Sequence, residues 1–297
     1  MDKSYSLTAD GEARLDKYVC AQFPRLSRSQ VQKLIAEGNI TVNGQKAKPG
    51  LRLNVGDRIQ VNIPHSPPQE LKPEAIPLKI IYEDDDLLVV DKPAGLTVHP
   101  APGHPAHTLV NAILAHFPHL ADIGDALRPG VVHRLDKDTS GVMLVAKSSA
   151  AQANLAKQFK SHAVTKAYLA LVKGKLEPEE GIIEADIGRD PHHRQKMAVV
   201  AQGREARTEY RVIKYVGNYT LLEVMPETGR THQIRVHLAA IGFPVLGDKV
   251  YGVRSPHLSR QFLHASRLGF RLPASGDYVE FESELPDDLQ KTLEAIS

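Results

Sequence analysis

An α+β fold is what these 297 residues predict: a large body built on a mixed, largely antiparallel sheet, with a small α/β module ahead of it. Three observations carry this. Near the N-terminus the apolar residues change from a period of about four to a period of two, the passage from helix to strand. Further on, strand-like runs recur without regular strand–helix alternation. Neither GxGxxG nor GxxxxGKS occurs, which argues against a doubly wound nucleotide-binding sheet. Between the two parts, Pro64–Pro77 holds five prolines, each fixing φ and removing an amide donor, so the segment reads as a linker.

In the module, Leu15, Val19 and Phe23 line one face of a first short helix. A second starts at Ser27, with Gln30 as its capping-box partner. It carries Val31, Leu34 and Ile35 on its apolar face and stops at Gly38. Ile40 and Val42 then alternate with polar residues up to the tight-turn pair Asn43-Gly44, and Ile59, Val61 and Ile63 alternate after Gly56-Asp57. In the body, Ile80-Ile81 and Leu87–Val90 flank an acidic turn at Asp84–Asp86. Further strands are expected at Val142–Ala146, Ala167–Val172, Thr208–Tyr215, Thr220–Met225 and Tyr278–Glu282, with helices at Ala150–Ser161 and Thr231–Ala240.

The formal charge of +2 gives no global sign of an acidic partner, but it is unevenly spread. Residues 10–65 carry nine Lys/Arg against five Asp/Glu, a net +4, which leaves the rest at −2. A basic module tethered to a near-neutral body suggests a grip on phosphates, although a solvated helix face has the same composition. The single cysteine, Cys20, allows neither an internal disulfide nor a cysteine zinc site. Asp2 and Lys3 stand where a signal peptide needs an apolar run, and no stretch approaches the about 20 apolar residues of a membrane span, so a reducing, cytoplasmic setting is expected.

Three polar clusters interrupt segments that otherwise read as core: Asp91–Gly95 (DKPAG), His133–Gly141 (HRLDKDTSG) and Pro226–His237 (PETGRTHQIRVH). An extended backbone would put Arg134, Asp136 and Asp138 on one face, a guanidinium beside two carboxylates. By pattern alone this is equally a loop ion pair before a Thr139–Gly141 turn, and Tyr168 is equally a half-buried strand aromatic. His99, His133, His232 and His237 lack regular i, i+4 pairing, which argues against a metal site.

The order of these clusters, with KAYLALVKG (Lys166–Gly174) between them and GDKVYG (Gly247–Gly252) after them, resembles the RluA family of pseudouridine synthases along essentially the whole chain. The segments VHPAPGHPAHTLVNAIL and PHHRQKMAV are most similar to the type that modifies the large ribosomal subunit. Ahead of them, ARLDKYV, SRSQVQKLIAEGNITVNG and VGDRIQV resemble an S4-like RNA-binding domain. The resemblance implies a domain at 12–64, a linker at 65–77 and a catalytic domain at 78–297.

It also implies an isomerase that turns uridine into pseudouridine in 23S ribosomal RNA after flipping the base from its stack. Asp136 matches the catalytic aspartate, Arg235 its cationic partner and Tyr168 the tyrosine beside the uracil. Arg134 matches the arginine that fills the vacated space. His133, Lys92 and Arg230 are expected at the RNA in the body, with Arg189, Arg194 and Lys196 as further contacts, and Arg28, Lys33 and Lys46 in the module. Large-subunit ribosomal RNA or a preribosomal particle is the expected partner, with no membrane, no small-molecule cofactor and no metal, and the chain is expected to act as a monomer. A sister synthase acting on other rRNA or tRNA uridines, a hydrolytic N-glycosidase and a noncatalytic ribosome-assembly factor remain alternatives.

Overall fold

The computed structural model describes residues 3–24, 26, 28–63, 71–101, 104–125, 127–193 and 195–296, in two compact units, Met1–Gln69 and Glu70–Ser297.

In the first unit, β1 (Lys3–Thr8), α1 (Leu15–Gln22), α2 (Arg28–Ala36), β2 (Ile40–Val42), β3 (Gln45–Lys46) and β4 (Arg58–Ile63) follow in order. The strands form an antiparallel sheet in the order β1-β4-β2-β3. Asn43 (φ 51) and Gly44 (φ 79) are both left-handed, the conformation a two-residue hairpin demands. The apolar faces read from the sequence meet in one core of Leu15, Val19, Val31, Ile35, Ile40, Ile59 and Val61. Helix α1 ends one residue before Phe23, whose ring instead packs edge-on against Tyr5 of β1. Gly38 (φ 82) ends α2, with the Asn39 amide turning back to the Leu34 carbonyl. Ser27, the expected cap of α2, lies outside the described residues.

The second unit contains β5 (Lys79–Glu83), β6 (Leu87–Lys92), α3 (Leu109–His116), β7 (Ser140–Ala146), α4 (Ser149–Lys160), β8 (Thr165–Lys173), β9 (Glu180–Glu184), β10 (Ile187–Arg189), β11 (Met197–Val199), β12 (Arg207–Val216), β13 (Tyr219–Pro226), α5 (Gln233–Ala240), β14 (Leu263–Arg271), β15 (Tyr278–Glu282) and α6 (Asp287–Ile296). Its main sheet runs β5-β6-β7-β14-β8-β13-β12-β9, with β15 added to β14. β7 and β14 are its parallel pair and the other pairs are antiparallel, the mixed sheet expected. β10 and β11 form a separate hairpin.

The parallel contact needs Gly141 (φ 119), because a Cβ there would run into the Ala265 carbonyl. The contact brings the start of β7, just after Asp136, into the middle of the sheet. Strand β8 lies on the other side of β14, with Tyr168 opposite Ala265. Tyr168 packs against both the α3-side core (Leu88, Val110, Leu135, Met143) and the α5-side core (Leu171, Leu222, Ile234, Phe262).

One correction concerns the linker. Residues Pro64–Gln69 and Glu70 lie outside the described residues, but 71–77 belong to the second unit. The Glu74 amide donates to Asn111 O (2.9 Å), the Asn111 side chain donates to Lys72 O (2.8 Å), and Leu71 packs on the α3-side core. Asn111, on the first turn of α3, spends its Oδ1 on the Thr108 cap and its Nδ2 and carbonyl on the backbone of this stretch.

Candidate active site

The segment Arg134–Thr139 enters β7 with Leu135 buried as its anchor, which leaves Arg134 exposed and turns Asp136 toward a cleft of about 550 Å³. The loop is held from behind by groups far away in sequence. Lys92 Nζ donates to Pro93 O (2.9 Å), Leu96 O (2.9 Å) and Lys137 O (3.1 Å), and Arg260 Nη1 donates to Asp138 O (3.1 Å). Gly95 N donates to Lys137 O (2.9 Å) and Gln261 Nε2 to Thr139 Oγ1 (3.2 Å).

The assignment of Lys92 as an RNA contact is therefore corrected. Its side chain is 0% exposed, its three donors serve backbone carbonyls, and burial pushes its ammonium down to about 7 even though Asp138 and Asp136 favour its charge. His133 keeps its place at the cleft, as part of its wall. Its Nε2 accepts the Leu144 amide (2.9 Å) and its ring stacks on Phe159 at 4.6 Å, so it shapes the cleft wall as a neutral imidazole. Burial, then the charge of Lys166, holds it far below the usual histidine value.

From the opposite wall comes α5, whose first turn is knitted to β12. Gln233 Oε1 accepts from Thr228 Oγ1 (2.7 Å) and Arg230 N (2.9 Å), while its Nε2 donates to Arg207 O (2.9 Å) and Thr208 Oγ1 (3.0 Å). His237 is spent similarly on Thr208 Oγ1 and Ala185 O, both 2.9 Å away. So fixed, the helix aims Arg235 at two carboxylates. Nη1 donates to Asp136 Oδ2 (2.9 Å), while Nε and Nη2 grip Asp248 Oδ2 and Oδ1 (2.6 and 2.9 Å). Asp248 Oδ1 also accepts the amides of Val250 (2.8 Å) and Tyr251 (3.2 Å). Burial opposes the charge on Arg235, but the bonds to Asp248 and the charges of both aspartates raise its pKa further still. Burial likewise opposes ionisation of Asp248, and Arg235 overcomes it, leaving the carboxyl below its ordinary range. The Asp136 side chain is 19% exposed and keeps Oδ1 outside this clamp.

Tyr168 lines the same cleft, and burial followed by the charge of Asp136 pushes its phenol well up, so the hydroxyl stays protonated and can donate. Lys166, two residues earlier, donates to Glu227 O (2.8 Å), and burial lowers its ammonium to about 8. Arg134 makes no hydrogen bond or ion pair with any described residue. Arg230, also lining the cleft, donates its Nε to Glu205 O (2.9 Å). The cleft thus gathers Asp136, Arg235, Tyr168, Arg134, His133 and Arg230. Asp248 is the functional residue that the sequence reading missed: it lies inside the GDKVYG motif, but no spacing rule ties it to Arg235.

Lys196 is half-buried beside the β10–β11 hairpin with Nζ 3.4 Å from Val250 O, Arg189 ends β10, and Arg194 lies outside the described residues. In the first unit, Arg28 is committed to Asp16 (2.9 Å), Lys33 sits 3.7 Å from Glu37, and Lys46 is exposed. Among the described residues no three His, Cys, Asp or Glu side chains converge as a metal-ligand set, and no helix is long and apolar enough to cross a membrane.

The family model for RNA pseudouridylate synthase matches residues 86–240, and that for the S4 domain matches residues 13–59. The chain belongs to the RNA pseudouridylate synthase family. It is an isomerase acting on RNA, with an S4 RNA-binding domain ahead of the catalytic body. It is 52% identical to an uncharacterised RNA pseudouridine synthase of Chloroflexus aurantiacus, over 95% of this chain and 90% of that protein. It is 46% identical to the ribosomal large subunit pseudouridine synthase D of Nitrosomonas europaea, over 95% of this chain and 84% of that protein. Among solved structures it resembles the human RNA pseudouridylate synthase domain containing 1 protein, with a TM-score of 0.61 and 31% identity over 75% of this chain and 89% of that one.

Proposed function

We propose that this synthase isomerises uridines of large-subunit (23S) ribosomal RNA, with Asp136 as the reacting carboxylate. The single observation that carries the chemistry is the pairing of Asp136 with a buried Arg235 at the floor of a cleft walled by Tyr168. In the reaction the C1′–N1 bond breaks, uracil turns, C1′–C5 forms, a proton leaves C5 and N1 takes one up. Atoms and electrons balance without an oxidant or reductant. Positive character grows on the sugar as C1′–N1 breaks, and an ionised carboxylate is the group that stabilises or traps it, as in glycosidases. Arg235 keeps Asp136 charged when base and sugar exclude water, and Asp248 holds Arg235 in line. The Tyr168 ring offers the uracil a stacking face, and its protonated hydroxyl can donate to the turning base. Arg134, exposed at the rim, has the planar cation needed to fill the space of a flipped base.

The choice of ribosomal RNA is supported by the relatives named as large-subunit synthases and by the S4 domain with its net positive charge. Residues 12–64 serve as the RNA grip and the second unit, Glu70–Ser297, as the catalytic domain. The chain acts as a monomer in the cytoplasm, where ribosomal RNA is assembled. Carbodiimide primer-extension mapping of 23S RNA from cells with and without the gene tests the assignment. Loss of defined pseudouridines, restored by the wild-type gene and not by Asp136→Asn, is expected. An unchanged 23S pattern with losses in another RNA would overturn the ribosomal target.

A further inference from the structure

His232 occupies the N-cap position of α5, yet its side chain caps nothing and its backbone is left-handed (φ 57, ψ 20). A non-glycine residue held there invites the question of what the imidazole does instead. It turns into the cleft, with Nδ1 2.9 Å from Tyr251 Oη and Nε2 3.9 Å from Asp136 Oδ1, the carboxylate oxygen that Arg235 leaves unbound.

The hydrogens of this chain can be counted. The Met197 amide of β11 must donate, and it donates to Tyr251 Oη (2.8 Å). A phenol oxygen so occupied has one hydrogen left to give, and His232 Nδ1 is the acceptor in reach. Nδ1 then carries no proton, so the proton of the neutral ring sits on Nε2, facing Asp136. The Tyr251 ring is fixed for this task, edge-on to His232 at 5.5 Å and under the Arg235 guanidinium at 5.1 Å.

We propose that Tyr251 and His232 are positioning residues of the synthase: Tyr251 sets the Nε2–H tautomer of His232, and that N–H holds Oδ1 of Asp136 once RNA closes the cleft. The 3.9 Å separation exceeds a hydrogen bond by about 1 Å, a gap that a small closing movement removes. The inference rests on Asp136 being the reacting carboxylate. It also links the β10–β11 hairpin to that carboxylate through two side chains, Tyr251 and His232.

The groups facing His232 are Asp136 and Arg134 from the loop before β7, Arg235 from its own helix, and Asp248 and Tyr251 from the segment after it. Burial lowers its pKa, Asp136 raises it and Arg235 lowers it again, for a net fall that leaves the ring neutral at neutral pH.

Two measurements on the full-length protein test this. Two-bond ¹H–¹⁵N spectra of the free enzyme should show His232 protonated at Nε2; a ring protonated at Nδ1 would overturn the proposal without any variant. In single-turnover tritium release from large-subunit RNA transcribed with [5-³H]uridine, Tyr251→Phe should be slower by about ten- to a hundredfold, the scale of a small misplacement. RNA affinity should stay within about twofold. In Tyr251→Phe the two-bond spectra should show the ring titrating at higher pH, because Nδ1 loses the donor that favours the neutral ring, and His232→Asn, which tolerates the left-handed backbone, should slow turnover to a similar extent. An imidazole whose titration is unmoved by Tyr251→Phe would contradict the proposal even if rates fell. Asp136→Asn in the same assay separates the two claims: if it turned over normally, the carboxylate reading would fail while the tautomer result stood.

Discussion

Asp16 and Asp136 both meet arginines and are treated in opposite ways. Asp16 of the N-terminal unit is saturated: Arg14 (both contacts 3.1 Å), Arg28 (3.0 and 2.9 Å) and Gln32 (2.9 Å) all donate to it, tying α1 to α2. Asp136 receives one guanidinium nitrogen and keeps an oxygen facing the cleft, while Asp248 takes the rest of Arg235. A carboxylate whose acceptors are all filled is a structural pin. One whose counter-ion is steadied by a second acid keeps its charge and a free lone pair, which is what a reaction at C1′ requires.

The comparison can be broken most sharply at Arg235. Arg235→Leu should abolish turnover and destabilise the body by about 3–5 kcal/mol, because Asp248 is then buried without its partner. Thermal melting together with tritium release checks both, and a variant as active as wild type would mean another cation serves Asp136. Next in size, Lys92→Met should slow turnover by about tenfold or more through loosening of the loop that carries Asp136, with RNA affinity unchanged. A large loss of affinity with normal turnover would restore Lys92 as an RNA contact.

Removing residues 1–69 should leave a folded and competent body with weaker RNA binding and a shallower dependence of affinity on salt, since the lost residues include the module's net +4. Equal salt slopes would refute the electrostatic grip. The smallest effect belongs to Asp16. Burial opposes its charge, but the bonds from Gln32, Arg14 and Arg28 win and depress its pKa. Its contribution is therefore complete above the unfolded value of about 3.9 and fades as pH falls below it. Asp16→Asn should lower the melting temperature of the N-terminal unit at neutral pH and reduce its sensitivity to acid, leaving single-turnover rates at saturating RNA unaltered.

The same contrast explains what was legible in the sequence. Asp16 sits on a short amphipathic helix, and the apolar periods around it, with Asn43-Gly44, gave away most of its unit; β1 was missed although Tyr5 and Leu7 alternate with Ser4 and Ser6. In the body, β7, β8, β12, β13 and β15 were visible as apolar or alternating runs. The central strand β14 was not, because its buried polar residue is satisfied internally: His264 reaches Ser140 Oγ and Ser283 O, both 3.0 Å away, so LHASRLGFR reads like a loop. Helix α3 was hidden too, its capping box being closed by Thr108 and Asn111 instead of a glutamate. β9 and the β10–β11 hairpin are short and lack a strong period, whereas α6 was missed although Leu289, Leu293 and Ile296 recur at helical spacing and pack on the α5-side core.

For the site, the motifs named Asp136, Arg235 and Tyr168, but pattern could not separate cations that meet RNA from cations that hold the fold. Lys92 differs from Arg134 in that the chain buries it. Asp248 became visible only when folding brought it to Arg235 across 13 residues.

The central claim is that Asp136 is the carboxylate left free to react. Its most direct test is single-turnover tritium release by Asp136→Asn, measured beside its RNA affinity and melting temperature. The account predicts no detectable turnover, affinity within a few-fold of wild type and an intact fold, since the amide keeps the shape and removes the charge. Substantial turnover by a folded, RNA-bound Asp136→Asn enzyme would contradict it.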